Sequence, residues 1–377
     1  MTTLRPLEGI TVLEIGHSIA GPFAGMILGE LGADVVKLEN PGTGDYCRDW
    51  GPPFWEGASA TFQAMNRGKR GVTVDFRDAA QVERLRHFIA DRVDVVVHNL
   101  KFGALDRFGL SGATLTAEKP SLIYCNLGAF GAEGPLRDRP GYDPLMQAHS
   151  GLMSLLGEDG RPPVRVGVSM IDLSTGMWGV IGILAALQER GRTGKGGVVD
   201  TSLYEAALSW MSIPLALYLC NGQLPRREGS GAAQIVPYQA FRTSDGWLMI
   251  LAGNDNLFQR LCQALACPSL AGDERFLTNS ARVTNRTALI PLLQDILARA
   301  PTAGWRDKLD AVGVPNGPLQ TVDQVVADPQ TAALGIIQGI AGSALKLVGM
   351  PLSFDGTRPP FQRRAPMLGE HNGEIFD

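Results

Sequence analysis

Cysteine is scarce in this chain, and what there is does not form a framework. The five cysteines, at 47, 125, 220, 262 and 267, are odd in number, and no two stand at CxxC spacing. That argues against structural disulfides and for reduced thiols in a cytoplasmic protein. The five histidines are scattered, with no HExxH and no Cys/His cluster, so no protein-bound metal is expected. Charge of one sign is lacking too. A formal net charge of −4 gives no electrostatic case for nucleic acid or an anionic membrane as a partner. The Met-Thr-Thr-Leu-Arg start has no apolar signal core. Long hydrophobic runs are missing as well: the two most apolar segments, Gly176–Leu187 and Leu208–Cys220, are short for a bilayer. What remains, 45% hydrophobic and 19% charged over 377 residues, is the make-up of a soluble globular protein with room for two domains.

The first third alternates strand and helix patterns. "ITVLEIG" (10–16), "DVVKLEN" (34–40), "GVTVDF" (71–76), "VDVVVHN" (93–99) and "SLIYCNLG" (121–128) read as strands. Between them lie helical stretches such as "FAGMILGELGA" and the amphipathic 79–92, with Leu85, Phe88 and Ile89 on one side. Such alternation implies a parallel sheet with right-handed crossovers, a Rossmann-like layer. A long helix over 173–190 is apolar almost all round and is expected to be buried. The strand "GVVDTSL" and a helix "YEAALSWMSIPLALYL" follow, then a Gly- and Arg-bearing mobile loop at 221–233. The segment 238–253 reads as a hairpin around Ser244-Asp245-Gly246, with helices after it to about 330. The fold class is thus α/β, with a large domain over 1–220, a smaller α+β domain over 221–330, and 331–377 as linker and return to the large domain.

Several residues invite a chemical reading. Gly16, Gly21 and Gly25 with Glu39 evoke a dinucleotide turn, but the spacing is not GxGxxG and a plain scaffold is the better reading. Ser150 and Ser169 lie in no GxSxG, and His149 cannot be oriented from sequence. His17, His87 and His98 read as structural or surface residues. Lys69, Arg70, Arg77, Lys101 and Arg107 read either as solvated surface charge or as an anion site at the sheet ends. Asp172 is a single carboxylate in an otherwise apolar or neutral run. Such a group needs a reason. Pattern alone favours helix capping, worth about 1 kcal/mol, over a role as nucleophile.

Taken in order, "VLEIGHSIAGPFAGMILGELGADVVKLENPGTGD", "NRGKRGVTVDF", "VVVHNLKFGALDRFGL", "RPGYDPLMQAHSGLM", "SMIDLSTGM", "GGVVDTSLYEAAL", "PYQAFRTSDGWLMI", "DERFLTNSARVTNR" and "LGEH" resemble the class III CoA-transferases, nearly end to end. The resemblance implies that Asp172 is a nucleophile after all. It would take an acyl group from an acyl-CoA as a mixed anhydride, then CoA as a β-aspartyl thioester, and an acceptor carboxylic acid would reverse the sequence. Succinyl-CoA is the implied donor. CoA contacts fall by position on Ile19, Ala20, Asn40, Arg77, Asn99, Leu100, Lys101, Arg107, Tyr142 and Asp143, with Arg77, Lys101 and Arg107 for the phosphates. "EGSGAA" (228–233) stands where the family has a glycine loop over the site, with Gly229 and Gly231 permitting its motion. Coenzyme A is then a substrate, and no permanent cofactor is implied. An interlocked, ring-like homodimer is implied as well. Ile19 and the short Gly-Ser-Gly depart from the formyl-CoA branch. The related α-methylacyl-CoA racemases are the alternative, but they carry "GHD" where this chain has "GYD", and Tyr142 is a poor second base. Arg226, Arg227 and Arg242 are candidates for a distal carboxylate, with surface exposure the plainer reading of each.

Overall fold

The structure, a computed structural model, describes residues 4–340 and 342–376, so the first three residues of the Met-Thr-Thr-Leu-Arg start lie outside it. Two compact units are present. One comprises the chain up to Leu152, Arg165–Ala216 and Pro329 onward; the other comprises Met153–Val164 and Leu217–Asp328.

The first unit is built on six parallel strands: β1 (Thr11–Ile15), β2 (Asp34–Glu39), β3 (Arg70–Thr73), β4 (Val95–His98), β5 (Ile123–Gly128) and β6 (Gly197–Ser202). Their spatial order is β3-β2-β1-β4-β5-β6, so the strand order reverses between β1 and β4. In an open α/β sheet that switch point leaves a crevice at the strand C-termini, where ligands bind. Alternate side chains enter two separate cores, as a strand period of two requires. Leu13, Val36, Val96 and Tyr124 join Leu85, Phe88 and Ile89 of helix α3 (Ala79–Arg92) on one face. Val12, Val35, Val97 and Cys125 join Ala24 and Leu28 of α1 (Ala20–Glu30) on the other. Burial on both faces explains why these strands read as nearly continuous apolar runs. The C-terminal stretch returns to the edge strand: His371 Nδ1 accepts from Gly71 N at 3.1 Å, and Asn372 Oδ1 from Thr73 N at 2.8 Å.

Three further helices of this unit frame the site: α2 (Ala60–Asn66), α5 (Asp143–His149) and α6 (Met170–Thr193), with α4 (Gly112–Glu118) flanking the sheet. At 24 residues α6 is longer than the 173–190 expected, and by length and composition it could cross a bilayer. Instead, one face packs within the unit. A Cβ at Gly176 would lie 2.7 Å from Ala20 O, and one at Gly179 would lie 2.6 Å from Leu127. The other face is not buried as composition predicted: Met177, Trp178 and Ile181 are exposed. The single helix expected after β6 is two, α7 (Leu203–Trp210) and α8 (Ser212–Asn221), bent by 64°. Pro214 accounts for the break, since it has no N–H to offer and clashes with the preceding turn.

In the second unit Tyr238–Arg242 and Trp247–Leu251 form the hairpin, and Asn316–Pro318 adds a third antiparallel strand. Phe241, Leu248, Phe258, Phe276, Leu293 and Trp305 fill its core. Residues 153–164 belong here rather than to the large domain where the sequence reading put them. The cause is backbone pairing: Glu158 bridges Glu228, and Gly229 N donates to Gly157 O at 3.0 Å.

Candidate active site

The loop leaving β1 lies at the switch point, and the glycines around it make room for protein side chains. Asn99, just past β4, accepts from His17 N at 3.0 Å and donates to His17 O at 2.8 Å. A Cβ at Gly16 or Gly21 would sit 3.1 or 3.0 Å from the Asn99 oxygen. At Gly25 it would sit 2.1 Å from Glu14 Oε2. Glu39 binds Arg48 and the Asp45 N–H. These four residues therefore have structural employment, and the dinucleotide reading falls.

Behind the loop lies a buried charge cluster. Glu14 and Lys37 are register partners on β1 and β2, both without solvent exposure. Lys37 Nζ donates to Glu14 Oε1 at 3.1 Å, Asp45 Oδ2 at 3.0 Å and Gly16 O at 2.9 Å. Lys69 Nζ reaches Glu14 Oε2 at 2.6 Å, Asn66 Oδ1 at 2.9 Å and Pro22 O at 2.7 Å. Lys69 was a candidate for solvated surface charge; its ammonium is instead buried, because Glu14 offers it a paired site. Burial opposes the Lys37 charge, but Glu14, Asp45 and Glu39 outweigh it and raise its pKa above the ordinary lysine value. For Lys69 burial wins, lowering it to about 8. A buried cluster of this kind is tolerable only when its charges are paired; here Glu14 Oε1 is hydrogen-bonded to Lys37, and Glu14 Oε2 has the Lys69 ion pair without a hydrogen bond.

Asp172 occupies the first turn of α6 rather than its cap position, which is Ser169. The capping is done by Asp143, at the start of α5. Its Oδ2 accepts from Ile171 N at 2.7 Å and Asp172 N at 3.2 Å, and its Oδ1 accepts from Gln147 Nε2. Asp143 is 2% exposed with both oxygens taken, which corrects its expected place among the CoA contacts. The Asp172 carboxylate has no hydrogen-bond or ion-pair partner among the described residues. Burial, then the Asp143 charge, pushes its carboxyl up to about 7.

Asp172 lines a cavity of about 260 Å³ with His17, Ser18, Ala20, Tyr46, Trp50, Asn99–Lys101, Leu127–Ala129 and Arg139–Tyr142. Next to it is an open cleft of about 880 Å³ that shares Leu100 and is lined by Asn40, Asp75, Phe76, Arg77, Arg107 and Phe108. The predicted residues thus divide. Ala20, Asn99, Leu100, Lys101 and Tyr142 gather with Asp172; Asn40, Leu100, Arg77 and Arg107 line the cleft. Ile19 precedes α1 and lines neither. Asn40 folds its side chain onto Gly42 N at 2.9 Å, Arg77 is paired with Asp75, and Lys101 lies 3.2 Å from Asp138. Arg107 stacks on Phe108 at 4.6 Å and has no ion pair among the described residues.

Gly229 and Gly231 lie in the second unit. Gly229 is left-handed, with φ +61, and a Cβ at Gly231 would meet Glu228 O at 3.0 Å. The loop is tied rather than free: Arg286 donates to Ala232 O at 3.1 Å and pairs with Glu228. Arg227 donates to Arg161 O at 2.7 Å, while Arg226 and Arg242 are exposed. His98 is buried edge-on to Tyr124, its pKa lowered to about 4, and His87 is exposed beside Glu83. His149 packs against Phe130 and Tyr204, and Ser150 caps its own turn. Among the described residues no group of three His, Cys, Asp or Glu could hold a metal ion.

Sequence reasoning missed His17, Tyr46, Trp50 and Arg139. For His17 a signal existed, its place just beyond the first strand of an alternating βα series. The chain is similar to known proteins over nearly its whole length. The sequence profile described as CoA-transferase family III matches residues 7–372. Succinyl-CoA:glutarate CoA-transferase of Homo sapiens is 36% identical, covering 100% of this chain and 86% of that protein. Succinyl-CoA–D-citramalate CoA-transferase of Chloroflexus aurantiacus is 34% identical, covering 99% and 93%. A crystal structure of a CaiB/BaiF family protein from Brucella suis superposes with a TM-score of 0.90 at 41% identity, covering 100% of both chains.

Proposed function

The chain belongs to CoA-transferase family III, as an acyl-CoA:carboxylate CoA-transferase, and we propose that Asp172 is the nucleophile of its transfer. The observation that carries this reading is the Asp172 carboxylate itself, desolvated, without a partner among the described residues and lining a cavity at the sheet's switch point. Its raised pKa makes it a stronger base than an ordinary aspartate and still ionised in good part near neutrality.

In the proposed sequence an Asp172 oxygen attacks the thioester carbonyl, the C–S bond breaks, and the electron pair leaves on the CoA sulfur. The thiolate then attacks the aspartyl carbonyl of the anhydride, expelling the donor acid and leaving an aspartyl-CoA thioester. An acceptor carboxylate attacks that thioester, and the released thiolate takes the new acyl group and frees Asp172. Each step exchanges one activated acyl bond for another, so no ATP is required. The nucleotide end of CoA is assigned to the open cleft, where Arg107 and Arg77 can meet phosphates, with the pantetheine arm passing Leu100. Succinyl-CoA is the proposed donor, supported by relatives that use it by name. A second copy of the chain is assigned to the exposed apolar side chains of Trp178, Ile181, Trp210 and Ile213, a set that monomers rarely leave to solvent.

Intact-protein mass spectrometry after incubation with succinyl-CoA tests the nucleophile. Wild type should gain CoA less one water, mapped to Asp172, and Asp172→Ala should gain nothing. An adduct that survives the substitution would place the nucleophile elsewhere.

A further inference from the structure

Asp172 shares its cavity with a histidine whose position is over-determined. Asn99 holds both backbone groups of His17, Lys37 holds the carbonyl of Gly16 before it, and Asp45 Oδ1 accepts from Ser18 N after it at 3.0 Å. Ser18 is left-handed, with φ +66, a conformation that costs a serine free energy and persists only where surroundings impose it. The imidazole ring is steered as well. Ser18 Oγ lies 3.2 Å and Tyr46 Oη 2.9 Å from Nδ1, while Tyr46 Oη lies 3.0 Å from Nε2. Each hydroxyl can donate to the ring or accept from it, so these contacts fix the plane of the imidazole, and the neutral ring keeps one N–H to donate. Burial, reinforced by Lys37 and opposed by Asp45, holds the imidazole below its ordinary pKa and therefore neutral. The other titratable and charged side chains lining the cavity are Tyr46, Lys101, Arg139, Tyr142 and Asp172. The transfer sequence has so far given this pair nothing to do.

We propose that His17, steadied by Tyr46, is a further catalytic residue whose imidazole N–H donates a hydrogen bond to the sulfur of CoA each time the thiolate departs. This rests on Asp172 being the nucleophile. The placement follows the substrate's route. A pantetheine arm entering from the cleft passes Leu100, and the neighbouring Asn99 is the residue that grips His17. The imidazole is thus on the wall met by the thiol end as it reaches Asp172. In the step itself the Asp172 oxygen–carbon bond forms, the carbon–sulfur bond breaks, the electron pair goes to sulfur, and no proton moves. A neutral imidazole is too weak an acid to protonate a thiolate, so sulfur is stabilised and remains a nucleophile for its return. An imidazolium would protonate it, since a free thiol has a pKa of about 8.5.

The test uses full-length wild type, His17→Leu and His17→Gln with succinyl-CoA, following the CoA–Asp172 adduct by rapid-quench mass spectrometry and the ratio of thioester hydrolysed to CoA transferred. His17→Leu should slow adduct formation about ten- to a hundredfold, the scale of losing one donor to developing charge. It should also raise the hydrolysis ratio about fivefold, because an unstabilised thiolate picks up a proton and escapes. His17→Gln, which keeps an N–H, should recover most of both, and the acid limb of the pH profile should stay where Asp172 sets it. Adduct formation within twofold of wild type in His17→Leu overturns the proposal. So does an equal loss in both variants with the ratio unchanged, which would mean packing alone. If His17→Leu does not fold, Tyr46→Phe carries the same ratio measurement, a rise supporting the proposal and no change overturning it. Absence of any adduct in wild type would instead overturn the Asp172 reading on which this one stands.

Discussion

Replacing Asp172 by asparagine should stabilise this protein, and only where the enzyme works. Burial in the cavity and the neighbouring Asp143 raise the carboxyl from its ordinary value of 3.8 to about 7. A displacement of that size corresponds to about 4 kcal/mol, at about 1.4 kcal/mol per tenfold. Solvent reaching the cavity reduces it, and about 2–3 kcal/mol is the expected effect. The sign follows from proton binding. The folded protein holds the Asp172 proton more tightly than the unfolded chain, so this stabilisation is fully present below pH 4 and is lost as pH rises through about 7. Asparagine never ionises. The two proteins should therefore be about equally stable at pH 4, diverge up to pH 7, and differ by a constant amount above it. Paired urea unfolding at four pH values from 4.5 to 8.5, read by tryptophan fluorescence, measures the gap. A gap that does not change with pH, or a variant less stable at pH 8, would refute the argument that the carboxylate is held against its own desolvation.

Other consequences are as direct. Gly25→Ala should cost at least about 2 kcal/mol in urea unfolding, although alanine in a helix interior normally gains about 1 kcal/mol, because the new methyl would sit 2.1 Å from Glu14 Oε2. Arg282→Met should lower the stability of the second unit by about 3 kcal/mol, seen by hydrogen exchange in 238–310. That guanidinium is fully buried and donates to Val236 O, Phe276 O and Asp255. Arg107→Ala should raise KM for acyl-CoA about tenfold and more than Arg77→Ala does, since Arg77 is already paired with Asp75. Equal effects of the two in steady-state kinetics would deny Arg107 its phosphate.

The parallel sheet was legible because its strands are covered on both faces, which turns each into an apolar run bounded by helix patterns. The exceptions within those runs were the informative residues. Glu14 and Lys37 looked like ordinary polar positions on strands, and nothing local in "VLEIG" and "VVKLEN" shows that they face each other in register. Lys69 looked like surface for the same reason: its partner is 55 residues away. The break at Met211 could have been read from Pro214, which opens a new helix more readily than it sits inside an old one. The placement of 153–164 could not, because backbone pairing of Gly157 and Glu158 with residues far along the chain, Glu228 and Gly229, decides it.

Asp172 shows how the same residue type divides two tasks that sequence alone merged. An aspartate at the start of an apolar helix is ordinarily drawn onto the free N–H groups, which hold its pKa down and spend its lone pairs. Here Asp143 reaches from α5 to take the N–H groups of Ile171 and Asp172 itself. Those two N–H groups are taken, and the Asp172 carboxylate in the first turn accepts no hydrogen bond among the described residues. What acts on its carboxylate is burial and a second negative charge, and both favour a basic oxygen. Capping and the proposed nucleophilic role are not alternatives for this helix: the cap is supplied by Asp143, and the Asp172 carboxylate is left out of it.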